Sequence, residues 1–518
     1  LMTRIYQFAD DSFLGRAVGT ESNNRATAYI EREARRIGLL PGGERGSYFQ
    51  DVPVVARGFD TTSTLSVGST TFHGGSDFLM QTQGALHDLH GVRAVYGGAS
   101  YDTTHLLPID SVHDRVLVLS AAPLPANAAF MRSNGLRRWL ATVNTAAAVV
   151  DVGPEEMPVP ARRRLLVPSG IWIDAPQQTQ LVFLATPEVA DAMLGTRVAA
   201  AAIGAPGALV STALRRIQVP LPGRNVIAIL PGDDPSLRGE YVELSAHSDF
   251  LAPIPPRDAD SLRAYNTVAR PMGAASPPAT PTDAQWSRIF ALIDSARRQR
   301  PRRADSIYNG ADDSGSGSMS LLELAEALKG QPPLRRSLLF VWHTGQEPGD
   351  WGSRYFTDRP TVPLDSIVVA LDVNSIGRGA AADVTGTTLT GAPLHGSENY
   401  LQVIGARRTS AEIGDLIDRA DADSAIVLDS TVDEHGHPAR MACRGDRVMY
   451  EAHGVPAVWF TTGTHADFRQ VTDDPQFIDY RHLATIDRFL LKVVTSLADL
   501  DHRPATNHPR PAHWSCQQ

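Results

Sequence analysis

Four apolar runs from residue 241 onward each lead into side chains that could bind a metal or move a proton. Tyr241-Val242-Glu243-Leu244 runs on to His247-Ser248-Asp249, and Leu338-Leu339-Phe340-Val341-Trp342 to Gln346-Glu347. Ile367-Val368-Val369-Ala370-Leu371 ends on Asp372, and Ala457-Val458-Trp459-Phe460 leads to His465-Ala466-Asp467. A fifth stretch, Asn309-Gly310-Ala311-Asp312-Asp313-Ser314-Gly315-Ser316-Gly317, precedes a helical pattern with Leu321, Leu322, Ala325 and Leu328 on one face. Its small residues let a carboxylate approach a site closely. One Asp after a strand is ordinarily a helix cap or turn residue. Four strand ends carrying imidazoles and carboxylates point instead to a shared rim, because ligands of open α/β sheets bind at the carboxyl ends of the strands. That donor set suits zinc. No phosphate-binding loop and no serine elbow after a strand competes with this reading.

The elements that must carry these residues alternate between apolar runs and helical patterns from Asn225 onward, as in a parallel sheet with crossover helices. Near the start, residues 10 to 40 read as a helix with Ala26, Tyr29, Ile30, Ala34 and Ile37 on one face and Gly38 closing it. Between about Val54 and Leu214 the texture changes to short runs such as Val116-Leu117-Val118-Leu119 and Leu181-Val182-Phe183-Leu184, separated by turns. The predicted organisation is therefore 1–53 and 215–505 as one domain and 54–214 as a β-rich insertion. Residues 251–303, rich in Pro, Ala and Arg, form a surface excursion, and 506–518, with His508, His513 and Cys516, form a tail.

Composition narrows the partners. With 518 residues, 42% hydrophobic and 20% charged, the chain is an ordinary globular protein large enough for a sizeable core. The formal charge of -9 disfavours nucleic acid. No apolar run approaches the roughly 18 residues of a spanning helix. Two cysteines, Cys443 and Cys516, exclude a cysteine zinc site and leave open either one bridge or two unrelated thiols. The opening Leu1-Met2-Thr3 carries no leader; the expected location is secreted or periplasmic, after removal of a signal peptide, with the cytoplasm as the alternative.

The order Asn225-to-Gly232, His247-Ser248-Asp249, Asp305-to-Gly317, Glu347 with Gly352-Ser353-Arg354-Tyr355, and Leu371-Asp372 resembles the co-catalytic zinc aminopeptidases. That family also contains glutaminyl cyclases and carboxypeptidases of glutamate-type substrates. The resemblance spans most of 220–500 apart from 251–303, and the insertion resembles a protease-associated domain. It implies a mixed, mainly parallel sheet flanked by helices, a peptide substrate, and zinc. Carried over by position, it implies that His247 and Asp372 hold one zinc, that Asp312 bridges to a second, and that Glu347 binds that second ion. Asp249 would orient the His247 ring, and Asp313 would follow the bridging carboxylate.

Three positions depart from the family pattern. Gln346 stands where members carry the glutamate that serves as general base, and an amide cannot take a proton from water. Arg469, in Thr464-His465-Ala466-Asp467-Phe468-Arg469, stands where the last zinc-binding histidine is expected, and a guanidinium has no lone pair to donate. Gly445-Asp446-Arg447 replaces Ser-Asp-His. His465, four residues before Arg469, is the candidate substitute ligand. The expectation is a zinc-dependent exopeptidase of aminopeptidase type, impaired by Gln346 and Arg469 and holding one zinc where the family holds two. The alternative is an inactive homologue that binds peptides or acts structurally.

Overall fold

The computed structural model describes residues 1–81, 86–125, 130, 133–153, 166, 170–174, 180–421, 426–507 and 516. The chain divides into two compact units, Leu1–Val52 with Pro222–Gln518, and Pro53–Leu221. Of the tail expected at 506–518, His508 and His513 lie outside the described residues.

The first unit is built on a nine-stranded mixed sheet. Numbering this unit alone, the strands are β1 (Leu40–Pro41), β2 (Phe49–Asp51), β3 (Arg224–Leu230), β4 (Tyr241–His247), β5 (Ser337–His343), β6 (Ile367–Val373), β7 (Tyr400–Ile404), β8 (Val427–Asp429) and β9 (Ala457–Thr461). They lie in the order β1-β3-β5-β4-β6-β9-β7-β8, with β2 also pairing β3. The four central strands β5, β4, β6 and β9 run parallel, whereas β3 and β7 join antiparallel. Every residue of β5 and β6 is buried because helices cover both faces, which is why these strands read as unbroken apolar runs.

One face packs Val242, Leu244, Phe340 and Leu371 against α2 (Glu21–Ile37), α5 (Gly317–Lys329) and α9 (Tyr480–Ala498), through Ile30, Leu322 and Val493. The opposite face packs Ile227, Val341 and Ala370 against Phe356 of α6 (Trp351–Asp358) and Tyr450 of α8 (Arg447–Ala452). Cys443 and Cys516 are disulfide-bonded. No helix among the described residues is long and apolar enough to cross a membrane.

Two features differ from the sequence reading, and a third is filled in. The helix expected over 10–40 begins only at Glu21, capped by Thr20; before it come α1 (Met2–Phe8) and a turn in which Leu14, Gly15 and Arg16 are all left-handed. The 251–303 excursion is ordered. Its helices α3 (Ala259–Ala269) and α4 (Asp283–Gln299) pack through Ala264, Ile289 and Ile293, and a short ladder between 257–258 and 304–305 closes its base. Residues 216–221, assigned from sequence to the larger domain, pair with Val54–Phe59 and so lie in the second unit.

That second unit is rich in strands, but not only in strands. Its eight-stranded sheet has a parallel centre, Val92–Ala99, Val116–Ser120, Ala148–Val152 and Leu181–Ala185, accompanied by helices Asn134–Val143 and Pro187–Leu194. Its core is made by Phe59, Phe78, Val118 and Phe183.

Candidate metal centre

Strand register puts the first groups together. His247 closes β4 beside His343 of β5, and Asp372 of β6 pairs with Ser245, two residues before His247. With a side-chain period of two, His247 and Asp372 share the face covered by α6 and α8. Both are buried, and neither oxygen of Asp372 has a hydrogen-bond partner within 3.5 Å among the described residues.

Asp249 ties the end of β4 to the turn after β5. Its carbonyl oxygen accepts from Nδ1 of His247 at 2.9 Å, so Nε2 keeps its lone pair for a metal. Its carboxylate accepts the main-chain N–H groups of Gln346 and Glu347 at 3.1 and 3.3 Å, which places the Glu347 turn beside His247. Asn225 holds the base of the same turn, accepting from the Thr344 N–H at 3.0 Å and donating to the Gly352 carbonyl at 3.0 Å.

The third element is the turn ahead of α5. Gly310 is left-handed, and a Cβ there would fall 2.5 Å from the Asp313 carbonyl oxygen. Asp473 accepts the N–H groups of both Asp312 and Asp313 at 3.1 Å. The two neighbouring carboxylates are thereby sent in different directions. Asp312 accepts from the Gly377 N–H at 2.6 Å and from Ser316 at 2.9 Å, and lies 3.1 Å from Nε2 of His465. Asp313 lies 3.1 Å from Nε2 of His247. The group able to hold an ion is accordingly His247, Asp313 and Glu347, whose ligand atoms all lie within 4.8 Å of one another. Among the described residues no other trio of such side chains is this close. The carboxylate facing His247 is thus Asp313, not the Asp312 assigned from sequence, because the turn directs Asp312 into protein donors. Asp372 stands outside the trio.

The electrostatics describe a site rich in carboxylates. Burial, with Asp313 nearby, pushes Glu347 up to about 8, and burial pushes Asp372 up to about 7. Asp446 is raised well above the carboxylate range by burial and by Asp350 and Asp372. Burial disfavours the charged His247 ring, but Asp249 and Asp313 outweigh it and hold the pKa well above its ordinary value, so without a metal Nε2 carries a proton toward Asp313 that a bound ion would displace. One imidazole nitrogen and two carboxylates, with a further buried carboxylate beside them, are a donor set that fits one zinc.

The second position does not fit. Arg469, itself left-handed, pairs its guanidinium with Oε2 of Glu347, so a fixed cation lies where a second ion would need its ligands. His465 offers no substitute. Its Nδ1 accepts the Asp467 N–H at 3.2 Å, and its Nε2 lies against Asp312 at 3.1 Å, turned to that carboxylate and not to Glu347. Arg447 is buried and turned away from the metal groups toward Glu451 and the Ala442 carbonyl.

The peptidase family M28 model matches residues 225–494. The chain belongs to peptidase family M28. No curated protein matches it. Among solved structures, a zinc aminopeptidase from Bacillus subtilis is similar at 14% identity and a TM-score of 0.45, over 96% of this chain and 94% of that one. The aminopeptidase of Aneurinibacillus sp. strain AM-1 is similar at 13% identity and a TM-score of 0.45, over 99% and 97%. Glutaminyl cyclase from Porphyromonas gingivalis is similar at 18% identity and a TM-score of 0.32, over 54% and 79%.

Sequence reasoning missed Asp473, Asp350 and Arg16. Asp473 is 160 residues from the loop it holds. Asp350 immediately precedes α6 in a left-handed conformation and is pushed up to about 6 by burial. The one local signal was Gly15-Arg16 inside an expected helix.

Proposed function

We propose that the chain is a zinc-dependent exopeptidase of aminopeptidase type, holding one ion through His247, Asp313 and Glu347, with hydrolysis held down by Gln346 and Arg469. The cluster of these three ligands, with Asp249 fixing the His247 tautomer, carries the reading; membership of family M28 supports a peptide substrate. A zinc bound there would polarise the scissile carbonyl. The remaining work falls to the chain. Asp249 keeps Nε2 of His247 available and holds the 346–347 turn in place. Gln346 stands at the base position but has no basic oxygen, so proton removal from the attacking water lacks its usual acceptor, a loss of about 10²–10⁴ in rate.

A second reading, an inactive homologue that binds peptides, is favoured by the ion pair between Arg469 and Glu347. The two readings separate on a panel of aminoacyl chromogenic substrates assayed with zinc-loaded protein. Slow, chelator-sensitive turnover abolished in His247→Ala supports the first. Peptide binding without turnover above that variant supports the second. The disulfide between Cys443 and Cys516 supports a secreted or periplasmic location, since such bonds persist in oxidising compartments.

A further inference from the structure

We infer that Arg16 is a positioning residue of the metal centre, its guanidinium gripping the turn that aims Asp313 at His247. The inference deepens the one-ion reading and rests on it for its functional sense. Arg16 is fully buried, 293 residues in sequence from the first of the turn carbonyls it holds. Its Nη1 donates to the carbonyls of Phe8 at 3.0 Å and Asn309 at 2.6 Å, and Nη2 donates to that of Gly310 at 3.0 Å. The guanidinium lies over the Phe8 ring, 4.4 Å from its centre. Asn309 reinforces the grip, donating from Nδ2 to the Ala9 carbonyl and to Asp11 at 2.7 and 2.8 Å.

The backbone around Arg16 is shaped for this contact. Leu14, Gly15 and Arg16 have φ of 47°, 76° and 60°. A Cβ on Gly15 would lie 2.1 Å from the Leu251 carbonyl oxygen and 3.1 Å from that of Tyr308. The chain at residue 15 therefore runs against both the segment leaving β4, just past Asp249, and the segment entering the Asp313 turn. The strained turn brings the guanidinium to Asn309 and Gly310, and these carbonyls set where Asp312 and Asp313 lie.

Packing alone does not call for a cation here. An apolar side chain would fill the space without the cost of burying charge. Burial pulls Arg16 down to about 10, so it stays charged at neutral pH, and the carboxylates of Asp473, Asp249, Asp313 and Glu347 favour that charge. None of its described hydrogen bonds reaches a carboxylate; all three go to main-chain carbonyls. A lysine could not reproduce that fork of donors.

The test compares Arg16→Met, Arg16→Lys and Gly310→Ala with the unmodified chain, using amide exchange without metal and zinc affinity by competition with a chromophoric chelator. Gly310→Ala keeps Arg16 but sets a Cβ 2.5 Å from the Asp313 carbonyl and 2.8 Å from Nη2 of Arg16, so it loosens the turn directly and calibrates the exchange expected when the turn is released. Peptides covering 309–317 should exchange at least about tenfold faster in each variant while those from β5 and β6 keep their protection. Zinc affinity should fall at least about tenfold, with no rescue by lysine. Unchanged exchange at 309–317, loss spread evenly over the sheet, or recovery of zinc affinity in Arg16→Lys would each overturn the inference. An unmodified chain that binds no zinc would refute the one-ion reading, and the exchange measurement would still decide the role of Arg16.

Discussion

The two halves of the candidate centre are built from the same kinds of side chain but resolved differently. On the His247 side, Asp249, Asp473 and Arg16 spend their hydrogen bonds on tautomer and backbone, and leave Nε2 of His247 and the Asp313 carboxylate facing each other. On the Glu347 side one carboxylate oxygen is already answered by a protein cation, Arg469, which leaves only the other for an ion, and the neighbouring His465 faces Asp312. Positioning side chains without satisfying them produces a metal site, whereas satisfying them produces an ion pair.

The largest expected effect falls on the first half. His247→Ala removes the one nitrogen donor, and zinc binding measured by equilibrium dialysis should fall by at least about 100-fold, the scale on which a first ligand exceeds the 10–100-fold of an outer partner. Retained binding would show that the ion sits elsewhere. The double change Gln346→Glu with Arg469→His attacks the second half, restoring both a proton acceptor and a ligand. Aminopeptidase activity should rise by at least about two orders of magnitude, the lower bound for a general base.

Arg469→Ala sharpens the comparison by leaving Glu347 unpaired. Because Arg469 is 38% exposed while Glu347 is 4% exposed, the loss in the metal-free chain should be about 1 kcal/mol, well below a fully buried pair, as read by denaturant unfolding. Added zinc should recover more stability in this variant than in the unmodified chain.

The smallest effect lies away from the centre. Asp487 on α9 has a buried oxygen without a partner among the described residues, and burial pushes it up to about 7. A carboxyl raised in the fold favours the folded state at low pH, and that contribution is lost as pH rises from about 4 through about 7. Thermal melts of the metal-free chain should fall across this window, and Asp487→Asn should flatten part of the decline. An unchanged profile would contradict that assignment.

How much of this could be read from sequence depends on the range of the interactions involved. The central strands were legible because burial on both faces leaves them uninterruptedly apolar, and the placing of His247 and Asp372 at the ends of such strands followed from those runs. The choice between Asp312 and Asp313 was not, since two adjacent carboxylates are separated only by a left-handed glycine and by Asp473, far along the chain. The turn at Leu14-Gly15-Arg16 was hidden for a similar reason: its shape is set by Leu251 and Tyr308, not by its neighbours. Arg447 is held by contacts close in sequence, Glu451 and the Ala442 carbonyl, which turn it away from the site its motif suggests. Residues 216–221 were misassigned because the partner of that strand, Val54–Phe59, lies across the whole insertion.

The most direct test of the contrast between the two halves is the zinc content of the purified, zinc-dialysed chain, measured by elemental analysis beside the Arg469→His variant. One tightly held zinc is expected per unmodified chain, and a second in the variant. Two zincs at full occupancy in the unmodified chain would contradict the contrast, because Arg469 would then not be holding the second position.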